Sequence, residues 1–347
     1  MLRKFHIKNP NRFLSLTLVL VAYVLFSLLS AQHVLGRKYS SLFVPICCYI
    51  VAGLGLNLNI GISGELNLGQ AGFMSIGAFT AAVVSGCLSF STSLPMPVLL
   101  FLSILAGTVS AALAGRLISI PVLKLTGDYL AIVTLAFGQI IVSILNSVYL
   151  GLDQSGLHFS FINNSLTLAE GGKVLIAGPM GVMQDHTFAD FTTGAALVVL
   201  ALLVIYNLLS SKDGRAIMAC RDNRIAAESV GIRVSSMKAK AFVLSSALAG
   251  GAGALYGLNY ASFTAGKFDF NLSILILVYV VLGGLGNMTG TIIATTILVV
   301  LPEALRFLST YRMLLYAMVL IVIMLVTNNE NFRRLFKKKR KEKTHGV

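Results

Sequence analysis

SKDGRAIMACRDNRIAAESVGIRVSSMKAK, residues Ser211 to Lys240, is the one long polar stretch inside an otherwise apolar chain. It holds seven Lys and Arg residues and has an oily run on either flank. Those flanks decide the fold. A helix rises about 1.5 Å per residue and the hydrocarbon core of a bilayer is about 30 Å thick, so one crossing needs about 20 apolar residues. Phe13–Gly36, Tyr39–Gly64, Leu66–Gly115, Tyr129–Leu152, Phe191–Ser211, Ala241–Gly266, Phe270–Pro302 and Met313–Asn329 each run without an Asp, Glu, Lys or Arg. Leu66–Gly115 has room for two crossings, and Phe270–Pro302 takes two tightly. The expected fold is all-α, a polytopic transmembrane helical bundle of about ten spans, with eight or nine also compatible, in a single domain over 1–347.

Composition agrees. The chain is 56% hydrophobic and 12% charged, roughly half the charge of a soluble domain. The net charge of +14 does not point to nucleic acid, because the basic residues are gathered between apolar runs. Arg3, Lys4, Lys8 and Arg12 precede the first run, Arg116 and Lys124 separate two others, and Arg333 to Lys343 form a basic tail within 331–347. Cytoplasmic loops collect Lys and Arg, so these segments and the island share the cytoplasmic side of a plasma or bacterial inner membrane. Both termini are then cytoplasmic, and the membrane lipid itself is a partner. Arg37, Lys38, Arg306 and Arg312 fall on the outer side of this scheme. The segment 151–190 has one Lys and no Arg and is expected outside, either as short helices over the outer mouth or as a plain connector. The first apolar run exceeds the roughly 7–15 residues of a signal-peptide core and is read as a retained span. Neither the four Cys nor the five His have metal or disulfide spacing.

The least ordinary apolar stretch is GLGLNLNIGISGELNLGQAG, Gly53 to Gly72. Glycine weakens a helix by about 1 kcal/mol, and irregular backbone at membrane depth is tolerated only when buried in protein or lining a wet cavity. A broken segment beside a translocation path is therefore expected, with Asn57, Asn59, Gly64, Glu65, Asn67 and Gln70 as its candidate lining. The alternative is an ordinary cytoplasmic loop with Glu65 solvated. Asp128 and Tyr129 open another apolar run: Asp128 either caps that helix or joins the path with Tyr129. Gly253 and Gly257 form a GxxxG pair, which signals close helix packing.

Inside the island the pattern reads as two short helices, Arg215–Arg221 and Arg224–Val230. Asp222 or Asn223 caps the second, and Gly231 stands where a helix ends. Arg224 and Glu228 pair at four residues, while Ile217, Met218 and Ile225 make an apolar stripe. Such a helix either seats in a groove of a partner protein or lies on the bilayer.

No GxxxxGK[ST] loop exists: the two Gly-Lys steps, Gly172-Lys173 and Gly266-Lys267, are followed by Val174 and Phe268. No nucleophile cluster, HExxH or paired carboxylates occur, so an enzyme is not expected. An ion-coupled secondary transporter needs charge mid-span, and none is present. An external motor fits better.

At this point a family resemblance enters. IAAESVGI, Ile225–Ile232, resembles the helix-and-glycine element in the cytoplasmic loop of ABC importer permeases. The wider run Gly214–Gly257 resembles branched-chain amino acid permeases of the LivM type. So do GELNLGQAGFMSIGAFTAA (Gly64–Ala82), TGDYLAIVTLAFGQII (Thr126–Ile141) and VLGGLGNMTGTIIATTILVVLPEALR (Val281–Arg306). The resemblance implies a complex of this chain, a second related permease, two ATP-binding subunits and an extracytoplasmic substrate-binding protein. ATP and Mg would be held by the partner subunits, with no cofactor in this chain. It also implies that Arg224, Ala226, Ala227, Glu228 and Gly231 couple to an ATPase. The loop departs from the usual pattern in placing its glycine three residues after Glu228 with no proline following. The implied cargo is an aliphatic amino acid, with urea or short amides as the alternative within the same group.

Overall fold

The computed structural model describes residues 10–31, 41–91, 95–123, 125, 127–153, 156–161, 172–184 and 189–305, with 317, 318 and 321 beyond them. Helix α1 (Pro10–Ala31) precedes α2 (Phe43–Asn57), which continues as a π-helix over Leu58–Ser63. Then come α3 (Gln70–Ser91), α4 (Met96–Val122) and α5 (Asp128–Asn146). Strands β1 (Val148–Asp153), β2 (Gly156–Phe161), β3 (Lys173–Ala177) and β4 (Val182–Met183) lead into α6 (Phe191–Ser210). The island forms α7 (Lys212–Asp222) and α8 (Arg224–Ser229), followed by α9 (Val234–Asn259). The short strand β5 (Ser262–Phe263), α10 (Phe270–Gly283) and α11 (Met288–Ala304) follow.

Six helices among the described residues are long and apolar enough to cross a membrane: α2 with its extension, α3, α4, α5, α6 and α9. The described apolar part of α1, α10 and α11 fall short of that length. The window Phe270–Pro302 does split at Gly283, but each half is only 14 or 17 residues. Apart from 317, 318 and 321, the last apolar run, Met313–Asn329, lies outside the described residues, as does the basic tail 331–347.

The all-α expectation needs one correction. Part of the segment 151–190 forms strands, not short helices, in a five-stranded sheet ordered β2-β1-β3-β4-β5. Leu157-His158-Phe159-Ser160-Phe161 alternates apolar and polar with period two, a strand signature that no helical face can use. The fifth expected span likewise ends at Asn146, because the chain extends into β1 from Val148. The sheet closes one end of the bundle and the island lies at the other.

At the centre, α3, α4 and α9 pack on glycine. A Cβ at Gly77 of α3 would collide with the Gly250 carbonyl of α9, and one at Gly253 with the Met74 carbonyl of α3. Backbones touching this closely leave no room for a side chain, and such contacts replace the hydrophobic drive that lipid cannot supply between helices. The expected close packing at Gly253 and Gly257 is present. Gly253→Val is expected to cost about 1–3 kcal/mol through overpacking, lowering the thermal midpoint of the purified chain in detergent. Gly266→Ala, where only the Thr264 hydroxyl lies 3.9 Å away, should leave that midpoint unchanged.

Candidate functional site

Helix α2 cannot carry its regular ladder through Asn57-Leu58-Asn59-Ile60-Gly61. It widens into the π-helix, ends at Gly64 with φ +76°, and the backbone stays irregular until α3 starts at Gln70. Single π turns recur at functional sites. The expected break is there, and Glu65 is not solvated: it is 9% exposed and ion-paired with Lys238 of α9.

Every element around the break lends it a polar group. Asn57 Nδ2 donates to Thr291 Oγ1 of α11 at 2.8 Å, while Gly286 N donates to Asn57 Oδ1 at 2.7 Å. Leu68 N donates to Thr134 Oγ1 of α5 at 3.1 Å, and Ala71 N to Ser273 Oγ of α10 at 3.1 Å. Gln70 Nε2 reaches the Ala52 carbonyl at 3.1 Å, and Asn67 Oδ1 accepts from Gly69 N at 2.9 Å. From the island, Arg221 Nη1 donates to the Gly61 carbonyl at 2.7 Å. Its aliphatic stem lies over Gly64, where a Cβ would come within 2.7 Å of Arg221 Cγ. Two groups are left over. Asn59 is fully buried and neither side-chain atom meets a partner, and the Ser63 hydroxyl is buried and unmatched too. Buried polar groups without partners cost about 1–3 kcal/mol each, so these two are the site's reserve of hydrogen-bonding capacity.

The structure thus brings together Asn57, Asn59, Gly64, Glu65, Asn67 and Gln70. It does not bring Asp128 or Tyr129 to them. Both are exposed, Tyr129 at 73%, and Asp128 is the first residue of α5 with Gly127 at the cap and no side-chain cap bond. Asp128 still lies where the helix dipole favours a negative charge.

The island folds as two helices, the first starting three residues before the expected Arg215 and the second at Arg224 as expected. Ser211 Oγ accepts from Gly214 N at 3.1 Å to begin α7, and Asn223 Oδ1 accepts from Ala226 N at 3.0 Å to begin α8. Gly231 has φ +84°, and Arg224 Nε donates to Glu228 Oε1 at 3.1 Å. The expected stripe is divided. Ile217 is buried in the bundle core, whereas Ile225 is 80% exposed, because α7 and α8 turn different faces to the protein. Ala227 is buried beside Cys220 and Val234, which seats α8 against α7 and α9 and leaves Ala226, Ile225 and Val230 outward. Burial pushes the Cys220 thiol up from its ordinary value, and Lys238 pulls it partly back.

Lys238, Arg221, Thr134, Ser273 and Thr291 were not singled out from sequence. Lys238 had one legible signal: α9 begins at Val234, so this Lys belongs to a helix that enters the apolar bundle.

With this geometry in hand, comparison with known proteins becomes informative. The profile of the branched-chain amino acid transport system permease component matches residues 38–326. The chain belongs to this permease family. It is 39% identical over 294 residues to the high-affinity branched-chain amino acid transport system permease protein LivM of Salmonella typhimurium, and 38% identical to LivM of Escherichia coli K12. Each alignment covers 80% of this chain and 66% of the relative. The LivH permease protein of Escherichia coli K12 is 25% identical over 300 residues, 80% of this chain and 89% of that one. No solved structure matches. The permease is a multi-pass membrane protein by family and by its apolar helices.

Removing one partner of a buried ion pair leaves an uncompensated charge, at a cost of about 3 kcal/mol. Glu65→Gln should therefore lower the thermal midpoint of the permease more than the double variant Glu65→Gln with Lys238→Met. Equal losses would show that the unpaired Lys238 carries no such penalty. Maleimide labelling of Cys220 should be slow in the folded chain and fast once it is denatured, since both burial and the raised thiol pKa withhold the thiolate.

Proposed function

We propose that this chain is the membrane-spanning permease subunit of an ABC importer that moves branched-chain aliphatic amino acids across the plasma or bacterial inner membrane. Two separate ATP-binding subunits hold ATP and Mg, a second permease related to LivH completes the pathway, and an extracytoplasmic binding protein delivers cargo. Both termini and the island are cytoplasmic in this reading, and the sheet is outside.

The observation that supports it best is the double tie between island and break. Helix α8 and the residue that ends it offer Ile225 and Val230, 80% and 74% exposed, as an apolar contact for an ATP-binding subunit. Behind it, Arg221 grips the Gly61 carbonyl and Lys238 grips Glu65. A displacement of α8 therefore pulls on the irregular segment 58–69 rather than on a regular helix. Packed elements of this kind switch between discrete arrangements when a contact shifts. Asn57, Asn59, Asn67 and Gln70 then present amide groups beside the path, and the unmatched Asn59 and Ser63 meet cargo or water as the segment moves. Arg224, Ala226, Ala227, Glu228 and Gly231 shape the coupling element: the Arg224–Glu228 pair and the Gly231 turn hold α8, and Ala227 seats it. Asp128 and Tyr129, exposed and apart from the cluster, are left out of the path.

Uptake of labelled leucine and of labelled urea into vesicles carrying the whole complex tests the reading. ATP-dependent leucine uptake is expected; urea uptake alone, or uptake driven by an ion gradient without ATP, would refute it. Glu228→Ala and Gly231→Val should keep the complex assembled in the membrane while lowering leucine uptake at least tenfold relative to ATP hydrolysis. Full transport with full ATPase stimulation in both variants would remove α8 as the coupling contact.

A further inference from the structure

The edge strand of the sheet presents its apolar side outward. β2 carries Leu157, Phe159 and Phe161 on one face, and these are 58%, 65% and 48% exposed. The rings of Phe159 and Phe161 stack with centroids 6.5 Å apart. Residues 156–161 include no Asp, Glu, Lys or Arg. An apolar patch of this kind on a sheet edge marks a surface with a partner.

The register shows which way the patch faces. Leu150 stands opposite Phe159, Leu152 opposite Leu157, and Val148 opposite Phe161, and directly opposed residues share a face. Leu152 is buried and Leu150 packs against the main core. The same face continues through Leu150–Ile176, Ile176–Val182 and Val182–Phe263, and the Phe263 ring meets Phe79 of α3. This is the face turned toward the helix bundle. β1 covers the bundle with it, while the apolar side chains of β2, about 4.8 Å further out, stay largely exposed among the described residues.

What lies beneath is set by α5. Only Ser147 separates the end of α5 from β1, so Phe161, opposite Val148, is level with the end of a membrane helix. The last turns of α5 expose Ile140 and Ile144, 51% and 48%, as an apolar surface on a helix long enough to cross a bilayer. Through Ser147 and the Val148–Phe161 pair, the patch on β2 stands next to this helix end.

We propose that the β1–β2 hairpin is an interfacial anchor, with Leu157, Phe159 and Phe161 dipping into the headgroup–acyl boundary of the bilayer beside α5. Phe and Leu are characteristic of apolar faces that lie in the interface, where they bury about 5–10 Å deep. The His158 and Ser160 side chains, on the opposite face, point away from the lipid. The anchor fixes the depth of the sheet end of α5 and holds the sheet down over the bundle.

The chain has no Trp, so a single introduced indole reports its own surroundings. Phe159→Trp, Phe161→Trp and Ser160→Trp are each purified as the full chain and reconstituted into phosphatidylcholine liposomes with and without brominated acyl chains. Blue-shifted emission at positions 159 and 161, quenched at least twofold more by brominated lipid than at position 160, is the expected result. Solvent-like emission at 159 and 161 that is insensitive to bromine overturns the proposal. So does a blue shift that appears only when a soluble extracytoplasmic protein is added, which would make the patch a protein-docking surface. Ile140→Trp, on the lipid-facing side of α5, calibrates full quenching and verifies reconstitution independently of the hairpin.

Discussion

Backbone amides and carbonyls inside an apolar bundle must find partners, and this requirement governs the centre of the permease. Between Leu58 and Gly69 the chain gives up regular helical bonding where water is scarce, and each freed group then needs a side chain from elsewhere. Leu68 N finds Thr134 of α5 and, just beyond, Ala71 N finds Ser273 of α10, while Lys238 of α9 and Thr291 of α11 meet the side chains of Glu65 and Asn57. Four helices far apart in sequence are thereby bound to one irregular segment, and the bundle closes around it.

The same arrangement explains why the island is a structural extension of the bundle and not a free loop. Ile217 is buried in the core, Ala227 and Cys220 pack on Val234, and Arg221 and Lys238 reach the break. Within α8 only Ala227 is buried, and the other residues of the helix are exposed. In the proposed coupling this exposed element acts on the irregular segment through Arg221 and Lys238. Glycine contacts among α3, α4 and α9 provide the stiff frame against which such a segment moves.

At the opposite end the five-stranded sheet uses a different economy. Its inner face is continuous from Phe263 to Leu152 and covers the helix ends, and it runs past the bundle at β2. The bilayer is the natural solvent for the remainder of that face, since it already bathes the adjoining helix.

Much of this was legible in the chain alone. Charge-free runs of crossing length located α2 to α6 and α9, because the thickness of a bilayer is a ruler that any apolar helix must meet. The glycine-rich amide stretch announced a break, and Asn223 and Gly231 announced the ends of α8, because caps and left-handed turns are local chemistry. Tertiary structure alone decided which groups repair the break, since Glu65 and Lys238 lie 173 positions apart and nothing local pairs them. It also separated Asp128 and Tyr129 from the other candidates and divided the stripe of Ile217 and Ile225 between core and surface. Those outcomes depend on which face each element turns inward, and only packing against the rest of the chain determines that.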